Sequence, residues 1–77
     1  MATKQQSSRE LVATNVRRLR EAKGLSQSAL ARRSKLRPAR LSLIEGAKHD
    51  PQCETLDRLA KALDVTPADL LEPPEKS

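Results

Sequence analysis

Residues 31–46 read "ARRSKLRPARLSLIEG", and Arg32, Arg33, Lys35, Arg37 and Arg40 put five cations into its first ten positions. A guanidinium keeps its charge at any physiological pH and donates in a planar fork. The chemistry on offer is recognition of a phosphate, a carboxylate or the edge of a guanine. Covalent chemistry has little to work with. His49 is the single histidine, Cys53 the single cysteine, and the acids form no pair suited to a cleft. The chain is read as a non-enzyme with no cofactor, no metal and no small-molecule ligand. Cys53 cannot close an internal disulfide and is expected as a small buried hydrophobe in a reducing compartment. His49 is expected in a surface loop, within reach of a phosphate but without a second metal ligand.

Charge along the chain is polarised. Residues 1–48 hold twelve Lys/Arg against three acids, a net +9, and residues 49–77 hold three against seven acids, a net −4. One end of such a molecule suits a polyanion and the other would be repelled by it, although unbalanced solvated helix faces would give the same totals. A length of 77 residues allows one domain. With 36% hydrophobic residues and no Phe, Tyr or Trp, the core must be built from Leu, Val, Ile and Ala. So thin a core often recruits a partner subunit. No stretch approaches the ~18 apolar residues of a membrane span, and residues 1–8 lack the apolar centre of a signal peptide. A soluble cytoplasmic protein with no membrane partner is expected.

The elements that must carry the arginines announce themselves by their starts. Ser7 with Glu10 is a capping box, Val12, Val16 and Leu19 repeat at helical spacing, and Lys23–Gly24 supplies a basic last turn and a left-handed stop. This predicts a helix over 8–23. In "LSQSAL", Ser26 caps a short helix over 27–33, with Leu25 and Leu30 as its hydrophobic staple. Leu36 and Leu41 repeat that spacing around Arg37 as cap, with Pro38 in the first helical position, where its missing N–H costs nothing. Leu41 and Ile44 then face inward and Gly46 ends the element, so the basic run is two helices and a tight turn. A fourth helix is predicted over 52–63, with Leu56, Leu59, Ala60 and Leu63 on one face. A fifth begins with Thr66 as cap, Pro67 leading and Val65 stapled to Leu70. Residues 1–7 are expected as a disordered arm, 8–71 as the domain and 72–77 as a disordered tail.

Three linked segments resemble the helix-turn-helix domain of the lambda-repressor and Cro-like regulators: R-x-x-K-G-L-S-Q-x-x-L-A from Arg20, the Ile44–Glu45 pair, and P-x-x-E-T-L-x-x-L-A-K-A-L from Pro51. The resemblance implies a compact all-α, five-helix DNA-binding domain. Its helix-turn-helix would be formed by helices two and three, with a recognition helix over about 38–45 in the major groove of double-stranded DNA. Carried over by position, Arg37, Pro38, Ala39, Arg40 and Leu43 are the base-reading positions. Only Arg37 and Arg40 can hydrogen-bond a base, leaving Ala39 or Leu43 for thymine methyls. Gln27 and Ser28, and Lys48 and His49 after helix three, correspond to phosphate contacts. Arg20 and Glu45 correspond to an ion pair tying helix one to the end of helix three.

Departures from the family pattern carry expectations of their own. Lys35 stands at a turn position usually held by Gly, a strain of about 1–2 kcal/mol if that backbone is left-handed. Arg37 stands where Ser or Thr normally caps, a loss of about 1 kcal/mol. Gly46 precedes Ala47 where the family more often has a polar residue and then Gly, and Asp64 replaces another Gly. The functional expectation is a homodimeric regulator, a repressor or small controller protein on a two-fold symmetric operator. Leu71, with Leu70 beside it, would provide the dimer contact. Two alternatives stay open: an antitoxin that represses its own operon, and a protein-interaction module that uses this fold without DNA.

Overall fold

The structure, a computed structural model, describes residues 7–74. Among these residues it holds α1 (Ser8–Ala22), α2 (Gln27–Arg33), α3 (Pro38–Glu45) and α4 (Cys53–Ala62), followed by a 3-10 turn over Pro67–Leu71. There are four α-helices, not the five expected. The last element starts as predicted, with Thr66 and Asp69 in a reciprocal capping box. It is only five residues long, however, and Glu72 is already extended (φ −96°, ψ 144°) ahead of Pro73. So short a run cannot repay the nucleation of an α-helix, and the tighter i→i+3 form prevails.

The starts of α1 and α2 follow their local chemistry. Ser7 Oγ accepts from the Glu10 N–H while Glu10 Oε1 accepts from the Ser7 N–H, both at 3.2 Å. Ser26 Oγ accepts from the Ala29 N–H at 3.0 Å. In α3 the cap residue Arg37 makes no side-chain capping bond, and Pro38 leads the helix. The four α-helix ends share one construction. Leu25, Leu36, Lys48 and Val65 donate their N–H groups back to the carbonyls of Arg20, Ala31, Leu43 and Ala60 at 2.8–3.0 Å. This six-to-one closure needs a left-handed residue just before the donor. Gly24 (φ 70°) fills that position once; Lys35 (60°), Ala47 (59°) and Asp64 (60°) fill it elsewhere. Gly46 itself is right-handed (φ −87°), so the left-handed stop of α3 falls one residue later, on Ala47.

The core joins Val12 and Val16 of α1, Leu30 and Ala31 of α2, Leu41 and Ile44 of α3, Leu59 and Ala60 of α4, then Leu63 and Leu70, each no more than 1% exposed. Leu19, Leu25, Leu36, Leu56 and Val65 pack around it. α1 lies against α3 and the 3-10 turn, α4 also closes on that turn, and α2 packs on both α3 and α4. Leu70 is completely enclosed, which corrects its expected place at an interface. Cys53 is exposed rather than buried: the first turn of α4 directs Thr55 inward (7% exposed) and leaves the thiol outside. Of the expected arm and tail, residues 1–6 and 75–77 lie outside the described residues. Glu72 does not behave as free tail, since its carbonyl accepts a hydrogen bond from Asn15 Nδ2 at 2.7 Å.

Candidate nucleic-acid interface

α3 is eight residues long. At ~1.5 Å rise per residue it spans about 12 Å, comparable with the width of a B-DNA major groove. Leu41 and Ile44 are buried in the core, so the opposite surface of the helix is fixed as the outer one. Arg37, Pro38, Ala39, Arg40, Ser42 and Leu43 are all exposed, with Leu43 at 39%. Ser42 is the one of these absent from the expected set. Its signal was available, since it stands three residues after Ala39 and four after Pro38, on the same helical face. The side chains of Arg37 and Arg40 make no hydrogen bond or ion pair among the described residues. Ser28, Lys48 and His49 are exposed as well, the last two in the loop after α3.

Behind that surface lies a charged network. Arg20 Nε donates to Glu45 Oε2 at 2.7 Å and Arg20 Nη2 to Glu45 Oε1 at 3.1 Å, while Nη1 donates to the Leu25 carbonyl at 2.8 Å. Gln27 Nε2 donates to the same Glu45 Oε1 at 2.9 Å. The side chains of Arg20 and Glu45 are 13% and 3% exposed, so one carboxylate at the end of α3 is held in a sheltered site by α1 and α2 together. Its hydrogen bond holds the Arg20 guanidinium above the ordinary arginine value, against an opposing effect of burial. Gln27, expected as a phosphate ligand, has one amide hydrogen committed to this network and keeps its other N–H and its carbonyl oxygen. The start of α2 and the end of α3 are thereby fixed to each other.

A second buried polar group was not anticipated. Asn15 is 0% exposed, and its Nδ2 donates to the carbonyls of Leu70 at 2.9 Å and Glu72 at 2.7 Å, while its Oδ1 accepts from Arg18 Nη2 at 3.3 Å. It fastens the 3-10 turn to α1. The cue in the sequence was a polar residue set among Val12, Val16 and Leu19 on one apolar face.

Residues 11–72 match the family model described as a helix-turn-helix domain. An uncharacterised HTH-type transcriptional regulator, y4dJ of Sinorhizobium fredii, is 38% identical over 69 residues, which is 90% of each chain. The solved structure of NHTF, a hypothetical transcription factor from Neisseria, superposes with a TM-score of 0.88 at 32% identity, covering 99% of this chain and 87% of that one. The restriction-modification controller protein C.AhdI from Aeromonas hydrophila superposes with a TM-score of 0.77 at 34% identity, covering 80% and 94%. The matched proteins are regulators rather than enzymes. With the outward arginines of α3 and the three motif segments in one fold, the chain belongs to the helix-turn-helix family of lambda-repressor and Cro-like transcriptional regulators.

Proposed function

We propose that this regulator binds a two-fold symmetric operator in double-stranded DNA as a homodimer, with α3 in the major groove, and acts as a repressor or small controller protein. The observation that carries the reading is the pair Arg37 and Arg40, exposed on α3 and unpaired among the described residues. Arginine in that setting suits bidentate contact with guanine O6 and N7. Ala39 and Leu43 complete the reading surface, with Ser28, Lys48, His49 and the free N–H of Gln27 toward phosphates. The likeness to C.AhdI, a restriction-modification controller protein, supports the controller role.

Dimerisation supports selectivity, because two arginines on one short helix cover too few base pairs to pick a site from a genome. The proposed surface is at Leu71, 39% exposed, beside a groove lined by Val12, Pro51 and Leu56. The Arg9–Asp50 ion pair, at 3.3 Å, stands at its rim. The reading is tested by titrating duplex binding against salt. Affinity should fall with a log–log slope of about −0.9 per phosphate neutralised, and a slope near zero would remove DNA as the ligand.

A further inference from the structure

We propose that the cleft between the C-terminal ends of α2 and α4 is a second phosphate-binding surface, one that holds the backbone of another duplex segment while α3 occupies its own site. It rests on the reading of α3 given above. The cleft is open to solvent, has a volume of about 440 Å³, and is lined by Arg33, Lys35, Arg58, Lys61, Ala62 and Asp64 among others. The cleft lies where α2 meets α4, while α2 also packs on α3, with Lys35 in the turn that joins α2 to α3. Arg33, Lys35 and Lys61 are exposed and have no ion-pair partner among the described residues. Arg58 shares its charge with Glu54 at 3.0 Å, and Asp64 is answered by Lys23 at 3.2 Å, so the surface is net positive.

The type of polyanion follows from what the chain lacks. A nucleotide or a single strand is normally gripped by stacking a base on an aromatic ring, and this protein has no Phe, Tyr or Trp. An acidic peptide would find only Ala62 as an apolar seat. What remains is a backbone of regularly spaced phosphates, which spread lysines and arginines recognise without reading sequence. Cations in the last turn also complement a helix's negative end. That effect accounts for Arg33 and Lys61 singly, but it does not gather four cations from two helices and a turn around one cleft.

The test loads the protein with the duplex it selects from a random pool, then offers a differently labelled random duplex and reads energy transfer between the two. Wild type should capture the second duplex. The variant Arg33→Glu/Lys61→Glu should keep its affinity for the selected duplex within about twofold and lose capture about tenfold or more, and Arg33→Ala/Lys61→Ala should lower the salt slope of capture by about 1.8. Arg37→Ala/Arg40→Ala should do the reverse, weakening the selected duplex and still binding random duplex. If selection enriches nothing, the α3 reading fails, and the cleft is still judged from random-duplex binding by that last variant. Absence of capture by wild type, equal losses on both duplexes, or capture unchanged in the cleft variants overturns the proposal. So does polyglutamate competing as well as duplex DNA at equal charge, which would assign the cleft to an acidic protein. Variants that lose only thermal stability would reduce the cations to helix-end complements.

Discussion

Glu45→Ala should be among the most damaging single substitutions in this protein, although Glu45 is neither on the exposed face of α3 nor part of the apolar core. The carboxylate accepts three hydrogen bonds, two from Arg20 and one from Gln27, and is 3% exposed. Removing it strands the Arg20 guanidinium, itself 13% exposed, where water reaches it poorly. Breaking a sheltered pair from one side costs roughly 3–5 kcal/mol. Arg20 keeps its bond to the Leu25 carbonyl at 2.8 Å and has Glu21 at 3.9 Å, so the lower end, about 3 kcal/mol, is expected. A domain of this length has about 4–12 kcal/mol in total, and 3 kcal/mol lowers Tm by about 12–24 °C. Replacing both partners, Arg20→Met with Glu45→Met, should cost clearly less than the two single changes summed, since no charge is left behind. The assay is thermal and urea denaturation followed by circular dichroism at the helix band. The Arg20 pKa is raised on folding, so this stabilisation is fully present below the ordinary arginine value and lost only as pH climbs through the raised one. Alkaline titration from about pH 7 to 10 should leave it intact. If Glu45→Ala shifts Tm no more than the exposed change Glu21→Ala, the reasoning is wrong.

Arg37→Ala and Arg40→Ala should each weaken specific binding by about 1–3 kcal/mol and relax preference at one base pair per half-site; equal losses on random DNA would make them phosphate contacts. Asn15→Ala leaves the Leu70 and Glu72 carbonyls without their donor, so a loss of about 2–3 kcal/mol and faster proteolysis at the 3-10 turn are expected, whereas intact protection would deny the fastening role. Ala47→Gly relieves a left-handed alanine and should raise stability by about 1 kcal/mol, while Gly24→Ala should lower it by a similar amount; a loss from the first or a gain from the second in urea denaturation would contradict the backbone argument. Leu71→Glu should give a folded monomer by sedimentation with weak DNA binding, and an unchanged dimer would move the interface elsewhere.

Much of the fold is legible because its helix starts are local. Ser7 with Glu10, Ser26, Pro38 and Thr66 each act within four residues, so short-range pattern is enough to find them. The helix ends are legible to within a residue, since Gly24 is a glycine stop and Lys35 and Asp64 stand at positions where the family has one; the exception is α3, whose left-handed stop falls on Ala47 instead of Gly46. The last element differs in type from the α-helix its start predicts: the start signal is complete, but helix type also depends on length, and Pro73 cuts the run short. Asn15 escaped because its partners lie 55 and 57 residues away, a contact made only by the tertiary fold. Gln27 shows the same limit on the candidate site, since nothing near it in sequence indicates that Glu45 would engage its amide. The outward arginines were readable because inward Leu41 and Ile44 determine which side of α3 is left over.

Selection of bound duplexes from a random pool tests the central claim most directly. A two-fold symmetric motif is predicted, with guanines in each half-site and half-site centres about one helical turn, ~34 Å, apart. A pool with no enriched motif, or one enriched for an asymmetric site bound by a single copy, would contradict it.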